Sequence, residues 1–388
     1  MKNVVKKCPY SKLCGGCTLQ GISYTKQLET KQKYIEKLLS KYHKVNKIIG
    51  MEDPLDYRNK VQVSFGYDDS HRIICGNYVP STHIIVSVDK CAISDTVANK
   101  IILTLKNLII KYHISLFDEN KLRGCLRHVQ IRCTSKNEYM VILITGSNSI
   151  PKIDLLIKDL IKSHKEIKTV IQNINRKHTS MVLGEKNIVL YGKGYIEDEL
   201  CNKKFRLSAS SFYQVNKRQT EILYSKAIDL MNFNSKETVI DAYCGIGTIG
   251  LIVSDKVKKI IGVELNKRAI KDAVINAKLN KANNVQFVCD DAGHFMNKLA
   301  KERIIIDAVI MDPPRNGADD KFLNSLLRLK PNKILYISCG PESLRNNIKY
   351  LTKNNYKIDV IQPVDMFPYT DHVETIVKLS LNYGGNHD

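Results

Sequence analysis

A strand that runs into a glycine-rich loop and then into a helix constrains the fold more than any other stretch of this sequence. Asp241 ends an apolar run, and Gly245, Gly247 and Gly250 follow with the spacing G-x-G-x-x-G. In this pattern the glycines allow a tight turn and let the backbone approach a ligand closely. Further strand and helix patterns follow at 259–264, 267–279, 285–288, 308–311 and 334–337. Because strands that alternate with helices form parallel sheets, we predict an α/β, Rossmann-like, doubly wound domain over residues 208–388.

The sequence before residue 208 has a different texture and divides into three predicted parts. Residues 1–24 form a cysteine-rich segment that we expect to bind a metal group. Residues 25–57 are predicted to be a helical linker that packs on the catalytic domain, and the helical pattern itself runs from Tyr24 to Leu39. Between residues 58 and 207, short strand patterns are interrupted by helical ones. This texture predicts a central α+β domain with substantial antiparallel pairing.

Two carboxylates near the glycine loop indicate which ligand the loop would hold. Glu264 ends the second strand, where a carboxylate can accept hydrogen bonds from a ribose diol, and this suits NAD and S-adenosylmethionine (SAM) equally. Asp312, in Asp312-Pro313-Pro314-Arg315, follows the buried strand at 308–311, at the fourth-strand position expected of SAM-dependent methyltransferases. Since such sheets bind ligands at the carboxyl ends of their strands, Asp312 would lie beside the methyl donor. The sequence therefore favours SAM over NAD.

A cysteine follows the last strand pattern of this series. Cys339 lies in Ser338-Cys339-Gly340-Pro341, directly after the strand at 334–337, and Pro341 suits the first turn of a helix. A lone cysteine after a strand is usually an inert apolar residue. A helix N-terminus, however, lowers the pKa of a thiol, so we expect Cys339 to be a thiolate opposite the Asp312 loop.

A thiolate beside a methyl donor suits one difficult methylation. Carbon 5 of uracil is too weak a nucleophile to take a methyl group directly, but a thiolate that adds to carbon 6 makes an enolate that can. A base must then remove the proton from carbon 5 before the cysteine is eliminated. The segment 367–374 supplies the candidates, of which Glu374 is preferred, while Asp371 and His372 remain open.

Several stretches of the sequence occur together, in this order, in one known family. They are Phe212 to Asn216, Asp241 to Thr248, Asp312 to Arg315, Ser338 to Pro341, and Asp365 to Glu374. Through them the chain resembles the RNA uracil-5-methyltransferase family, specifically its iron–sulfur-containing branch that acts on 23S ribosomal RNA (rRNA). The segments Tyr57 to Lys60 and Leu126 to Val129 are similar to the central domain of that family.

The resemblance implies a function and the residues that would perform it. The enzyme would methylate carbon 5 of a uridine in 23S rRNA to 5-methyluridine, a step of rRNA processing, and the alternative is the same chemistry on transfer RNA (tRNA). Cys339 would be the nucleophile and Glu374 the base. The residues that would bind SAM are Gln214, Tyr243, Gly245, Thr248, Glu264, Asp291 and Asp312. Gly340 departs from the family, which often has asparagine there, so the loop around the nucleophile is expected to differ.

Three closely spaced cysteines near the start have the compact spacing of a metal site. Cys8, Cys14 and Cys17 need a fourth ligand, and from spacing alone zinc and an iron–sulfur cluster remain equally open, because four cysteines can hold either. The resemblance implies Cys91 as the fourth ligand and a 4Fe–4S cluster as the metal group. We expect the cluster to be structural, tying the N-terminal segment to the central domain.

The charge of the chain permits a polyanionic partner without requiring one. The formal net charge is +21, which fits RNA binding. Candidates for contact with phosphates or bases are Arg58, Lys60, Arg127, His128, Arg132 and Arg315. No stretch suits a signal peptide or a membrane span, so we expect a cytoplasmic protein with no membrane partner, and we expect a monomer.

Two other classes of protein were weighed against this interpretation. A methyltransferase that acts on the amino group of adenine would have an aromatic residue at the end of the Asp312 loop, where this chain has Arg315, and would not need Cys339. A non-enzymatic iron–sulfur RNA-binding module would have no reason to carry both Asp312 and Cys339.

Overall fold

The computed structural model describes residues 8–179 and 181–382 of the chain. The first seven residues of the predicted cysteine-rich segment and the last six of the predicted C-terminal domain lie outside the described residues. None of the helices in the described part is long and apolar enough to cross a lipid bilayer.

The first helix, α1 (Tyr24–Leu39), has the predicted bounds. Ser23 caps it by accepting a hydrogen bond from the backbone N–H of Lys26, and its apolar face, which includes Ile35, is buried in a core formed with the C-terminal domain. The chain then runs beside the last strands of that domain through isolated bridges from Val45 and Ile49. The segment that follows α1 is thereby joined to the C-terminal domain.

A seven-stranded mixed sheet forms the middle of the molecule, with the order β3-β2-β1-β4-β5-β6-β7. Its strands are β1 (Lys60–Tyr67), β2 (Ile73–Tyr78), β3 (Ile85–Ser87), β4 (Leu126–Cys133), β5 (Tyr139–Thr145), β6 (Ile167–Ile174) and β7 (Lys186–Gly192). All neighbouring strands pair antiparallel except β5 and β6, which confirms the predicted α+β character. Helices α2 (Thr96–Lys111) and α3 (Ile153–Ser163) cover one face. The other face packs on the apolar core of the C-terminal domain, so β5 is buried on both sides.

The second seven-stranded sheet has the order expected of a doubly wound domain, β12-β11-β10-β13-β14-β16-β15. The hairpin β8 (Ile196–Leu200) and β9 (Lys203–Leu207) precedes it and packs into its core. Its strands are β10 (Thr238–Ala242), β11 (Lys259–Glu264), β12 (Val285–Cys289), β13 (Ala308–Met311), β14 (Lys333–Ser338), β15 (Tyr356–Val364) and β16 (Glu374–Leu381). Its helices are α4 (Lys217–Met231), α5 (Thr248–Val253), α6 (Lys267–Leu279), α7 (Ala292–Lys301), α8 (Asp320–Leu329) and α9 (Pro341–Lys353).

The strands β12, β11, β10, β13 and β14 are parallel, and β16 is antiparallel to β14. The strand order reverses between β10 and β13, and ligands bind at such a switch point, outside the carboxyl ends of the strands. The α/β, Rossmann-like fold predicted from the alternating pattern is confirmed. The candidate site residues lie at this edge.

Candidate active site

The glycine loop after β10 has the backbone conformation that its sequence predicts. Gly245 and Gly247 have φ of 56° and 81°, in the left-handed region that favours glycine. The buried side chain of Asp241 accepts a hydrogen bond from the backbone N–H of Gly250 at 2.8 Å. Burial raises the pKa of Asp241 to about 7. Asp241 therefore fixes the turn into α5.

Two further carboxylates stand beside this loop. Glu264, at the end of β11, accepts hydrogen bonds from the backbone N–H groups of Gly245 at 3.1 Å and Asn266 at 2.8 Å. Asp291, after β12, caps α7 by accepting from the N–H of His294 at 2.8 Å. Both carboxylates are thus held in place by the backbone at the carboxyl ends of neighbouring strands.

One cavity of about 960 Å³ opens at the switch point, and we call it the donor cavity. All nine residues predicted for catalysis and SAM binding line it: Gln214, Tyr243, Gly245, Thr248, Glu264, Asp291, Asp312, Cys339 and Glu374. Its volume is at the upper end for a small-ligand site, so it has room for a base beside a methyl donor.

Asp312, Cys339 and Glu374 come from three neighbouring strands and form one end of the donor cavity. Burial raises the pKa of both carboxyl groups, and the charge of Asp312 raises that of Glu374 further. Burial, followed by Glu374 and Asp312, raises the pKa of Cys339 to about 11. The expectation that the N-terminus of α9 makes this thiol a thiolate is therefore wrong for the protein without ligands, because desolvation and two acidic neighbours outweigh the helix.

The loop that carries Cys339 is pinned to the Asp312 loop, and this explains its glycine. A Cβ at Gly340 would collide with the carbonyl oxygen of Arg315. The hydroxyl oxygen of Ser343 lies 2.9 Å from the carbonyl oxygens of both Arg315 and Gly340, to either of which it can donate its proton. A side chain at position 340, asparagine included, would therefore not fit this approach of the two loops.

The segment from Asp365 to Glu374, which we call the base loop, is held by the N-terminal part of the chain. Lys31 of α1 forms a buried ion pair with Asp365, 2.6 Å between Nζ and Oδ1, and also donates to the carbonyl oxygen of Phe367 at 3.1 Å. The backbone N–H of Asp371 donates to the hydroxyl of Thr18 at 2.9 Å. Glu374 is 3% exposed and starts β16. The position of the candidate base thus depends on contacts with residues more than 300 positions away in sequence.

The two alternative bases are differently placed. Asp371 is exposed and does not line the donor cavity. His372 lines the cavity, and burial and the adjacent Arg315 lower its pKa. Only Glu374, of the three, is a buried acid beside Asp312 and Cys339.

Comparison with known proteins bears directly on this site. The family model described as tRNA (uracil-5-)-methyltransferase matches residues 23–382. The chain belongs to this family. An uncharacterized RNA methyltransferase of Clostridium acetobutylicum is 42% identical over 380 residues, covering 96% of this chain and 82% of the relative. One of Caldanaerobacter subterraneus is 42% identical over 374 residues, covering 95% and 82%.

A solved structure extends the likeness to the whole fold. The tRNA (uracil-54, C5)-methyltransferase of Pyrococcus abyssi, in complex with S-adenosyl-L-homocysteine, aligns with a TM-score of 0.77 and 27% identity, covering 95% of this chain and 86% of that one. The chain is accordingly an RNA methyltransferase of the uracil-5 family that uses SAM.

The four cysteines that the family resemblance singled out line one cavity of about 330 Å³, the cysteine cavity. Among the described residues no group of three or more His, Cys, Asp or Glu side chains is arranged to hold a metal ion, so the thiols share a cavity without converging on a single ion. The Sγ of Cys14 accepts hydrogen bonds from the N–H of Gly16 and the amide of Asn77, both at 3.4 Å.

The charge around the cysteine cavity fits an anionic group. Lys60 lines the cavity, burial lowers its pKa to about 8, and it has no ion pair or hydrogen bond through its amine among the described residues. Arg58 lines the same cavity. Lys60 is half-buried, and a half-buried cation with no partner among the described residues would be stabilised by the negative charge of thiolates around a metal group. The residues present therefore fit a thiolate-bound metal group.

Three of the six residues suggested for RNA contact are buried instead. The guanidinium of Arg127 is bound by Glu119 and by the Asn175 carbonyl, each at 2.8 Å. Arg132 donates to the Ser211 carbonyl at 2.6 Å. His128 is buried beside Ser64, and burial lowers its pKa to about 4. The suggestion is wrong for these three because their side chains are buried and are held by contacts within the protein. Arg58, Lys60 and Arg315 line cavities.

Sequence reasoning missed two aromatic residues of the donor cavity. Tyr224 of α4 is 3% exposed, lies near Asp312 and is hydrogen-bonded to the side chain of Gln214. Phe212 lines the cavity with 65% of its surface exposed. Tyr224 falls on the apolar face of a helix, where a single sequence does not distinguish it from core. Phe212 was noted only as part of a family segment, although an exposed aromatic ring beside a cavity suits base stacking.

Proposed function

We propose that the protein methylates carbon 5 of a uridine in 23S rRNA through a covalent intermediate on Cys339. The observation that carries the proposal is that Cys339, Glu374 and Asp312 stand together at one end of the cavity whose other end is formed by the glycine loop. A nucleophile, an acid–base group and a donor site are thus within reach of one base.

The methyl donor would lie along the glycine loop. Glu264 would accept hydrogen bonds from the ribose hydroxyls and Asp291 from the adenine, since both carboxylates are fixed at strand ends. Gln214, Tyr243, Gly245 and Thr248 would line the rest of the donor site, and Asp312 would lie next to the methyl group.

The reaction would proceed by addition and elimination on the uracil ring. The Cys339 thiol first loses its proton to solvent, and the resulting thiolate adds to carbon 6, so that the electron pair of the 5,6 double bond moves to the enolate. Carbon 5 then takes the methyl group, and the S–CH₃ electron pair stays with S-adenosylhomocysteine. Glu374 removes the proton from carbon 5, and the thiolate leaves carbon 6 as the double bond re-forms. Burial raises the pKa of Glu374, which suits a group that must accept this proton.

For the metal group, we propose a 4Fe–4S cluster bound by Cys8, Cys14, Cys17 and Cys91, with a structural role. Support comes from the shared cysteine cavity, the two N–H groups that donate to Cys14, and the amine of Lys60, which has no partner in the described part of the chain. The purified protein should be brown with an absorption band at about 400 nm, as thiolate-bound clusters are. A colourless protein with stoichiometric zinc would reject the cluster and leave the methylation proposal intact.

The RNA is proposed from the four-cysteine motif, which resembles the branch that acts on 23S rRNA. Transfer RNA is the second candidate, because the family description and the Pyrococcus abyssi relative both name tRNA. A monomer in the cytoplasm fits this function.

Trapping with 5-fluorouridine tests the mechanism. Transcripts of 23S rRNA and of tRNA in which 5-fluorouridine replaces uridine are incubated with the protein and SAM. Because fluorine cannot leave carbon 5 as a proton does, a stable adduct should form at Cys339. Cys339→Ala should form none, while Cys289→Ala, which changes an exposed cysteine, should form it normally. With natural uridine, Glu374→Gln should form the adduct but release product slowly. Absence of an adduct with both RNAs, or an adduct in Cys339→Ala, would refute the mechanism.

A further inference from the structure

A second cavity of about 810 Å³ borders Cys339, and the catalytic chemistry does not use it. It shares Arg315, Cys339 and His372 with the donor cavity but contains neither Asp312 nor Glu374. Its other walls come from α1, from the first turns of α9, and from the two loops that carry Arg315 and His372. The nucleophile therefore lies on the partition between two cavities of similar size.

The partition consists of the Arg315 guanidinium and the His372 imidazole. The Nη2 atom of Arg315 lies 2.8 Å from both ring nitrogens of His372. Burial and the charge of Arg315 lower the pKa of His372, which disfavours a second positive charge beside the guanidinium. A guanidinium and an imidazole are planar groups on which unstacked bases rest, and the guanidinium also pairs with phosphate. A polynucleotide passing from one cavity to the other would bring its phosphate to Arg315.

The lining of the second cavity suits a base edge and a ribose more than a second phosphate. Glu342 and Asp371 are acidic, and Glu342 accepts a hydrogen bond from the hydroxyl of Tyr34. Asn316 and Asn346 are exposed on the wall, and the amide of Asn316 has no partner among the described residues. Amides and carboxylates read the donors and acceptors of base edges.

We propose that this second cavity is a subsite for the nucleotide adjacent to the target uridine, so that the enzyme takes up two consecutive nucleotides, one on each side of the Arg315–His372 partition. The proposal rests on the proposed function, because the target base must occupy the donor cavity. It identifies the ligand as an unpaired nucleotide of the same RNA strand, recognised through its base and ribose.

The test removes the neighbouring base without removing its backbone. An RNA that the protein methylates is prepared intact and with an abasic nucleotide immediately 5′ or 3′ of the target, and kcat/KM for methyl transfer is measured. One of the two abasic RNAs should lower kcat/KM by about 5-fold to 150-fold, the range for loss of one stacked base. In the double variant Asn316→Ala/Asn346→Ala, kcat/KM for the intact RNA should fall. The further loss of kcat/KM on removal of the neighbouring base, which we call the abasic penalty, should be smaller than in the wild type.

The control changes an asparagine on another surface. Asn107 is exposed on α2 of the central domain, and Asn107→Ala should keep the wild-type kcat/KM and the full abasic penalty. The subsite is overturned if neither abasic RNA lowers kcat/KM, or if the abasic RNA lowers it equally in the wild type and in the double variant. Methylation of the intact RNA would leave the proposed function standing in either case. If the double variant is slowed but neither abasic RNA lowers kcat/KM, the second cavity contacts the target base itself and not its neighbour. If no RNA is methylated, the proposed function fails, and the subsite fails with it.

Discussion

The reactivity of Cys339 should depend on the charge of the ligand in the donor cavity. Burial, then Glu374 and Asp312, raise the pKa of this thiol from 9.0 to about 11. Two pKa units correspond to about 100-fold less thiolate at neutral pH. The sulfonium of SAM is a cation, and a cation near a thiol lowers its pKa. Because burial is the largest cause of the shift, we expect SAM to recover only part of it, about 3-fold to 10-fold in the rate of alkylation at neutral pH.

Iodoacetamide labelling measures this directly, with the Cys339 peptide quantified by mass spectrometry and exposed Cys289 as the internal reference. S-Adenosylhomocysteine is the matched control, since it has nearly the same shape without the positive charge. It should give no acceleration. In Glu374→Gln the rate without ligand should rise at alkaline pH, where the wild-type carboxyl is charged. Equal effects of the two ligands on Cys339 would refute the electrostatic account.

Three further outcomes follow from contacts outside the reacting groups. Lys31→Ala should lower the free energy of unfolding in urea by about 3–5 kcal/mol, because it leaves Asp365 buried without its cation. The control Lys33→Ala, on the exposed face of the same helix, should change it by less than about 0.5 kcal/mol, and equal effects would contradict the buried pair. Burial lowers the pKa of His128 from 6.5 to about 4, so the unfolded chain binds more protons than the folded one between these pH values. As pH falls from 6.5 towards 4, the free energy of unfolding of the wild type should therefore fall by up to about 3 kcal/mol relative to that of His128→Gln, and a pH-independent difference would contradict this. If the proposed cluster is bound, its removal with a chelator should speed hydrogen exchange of the Asp371 amide, which donates to Thr18 beside the cysteine motif. Unchanged exchange would show that the base loop does not depend on a metal group.

The sequence predicted the C-terminal domain closely because its signals are local. The bounds of β11 (Lys259–Glu264) and α6 (Lys267–Leu279) agree with the predicted ones, and the glycine loop adopts the expected left-handed conformations. Each of these depends on apolar periodicity or on backbone freedom within a few residues. The carboxyl ends of adjacent parallel strands meet at one edge, so the sequence alone places Glu264 and Asp312 at the same edge of the sheet.

What the sequence could not predict depends on distant neighbours. Arg127 and Arg132 look like surface cations in the sequence, yet both are buried by partners from other strands and loops. The state of Cys339 was predicted wrongly for a related reason. Its local position at a helix N-terminus was visible, but the burial and the two acids that oppose it come from tertiary packing.

The N-terminal segment and the base loop act as one structural unit, and this separates their effects from those of the donor site. Thr18 and Lys31 hold the base loop, and Gly16, between two cysteines of the motif, lines both the cysteine cavity and the donor cavity. Glu264 and Asp291 are instead held by the backbone of their own domain. Loosening the N-terminal segment should therefore displace Glu374 and lower kcat, while the KM for SAM changes little. A loss of SAM affinity equal to the loss of kcat would show that the two ends of the donor cavity are not independent.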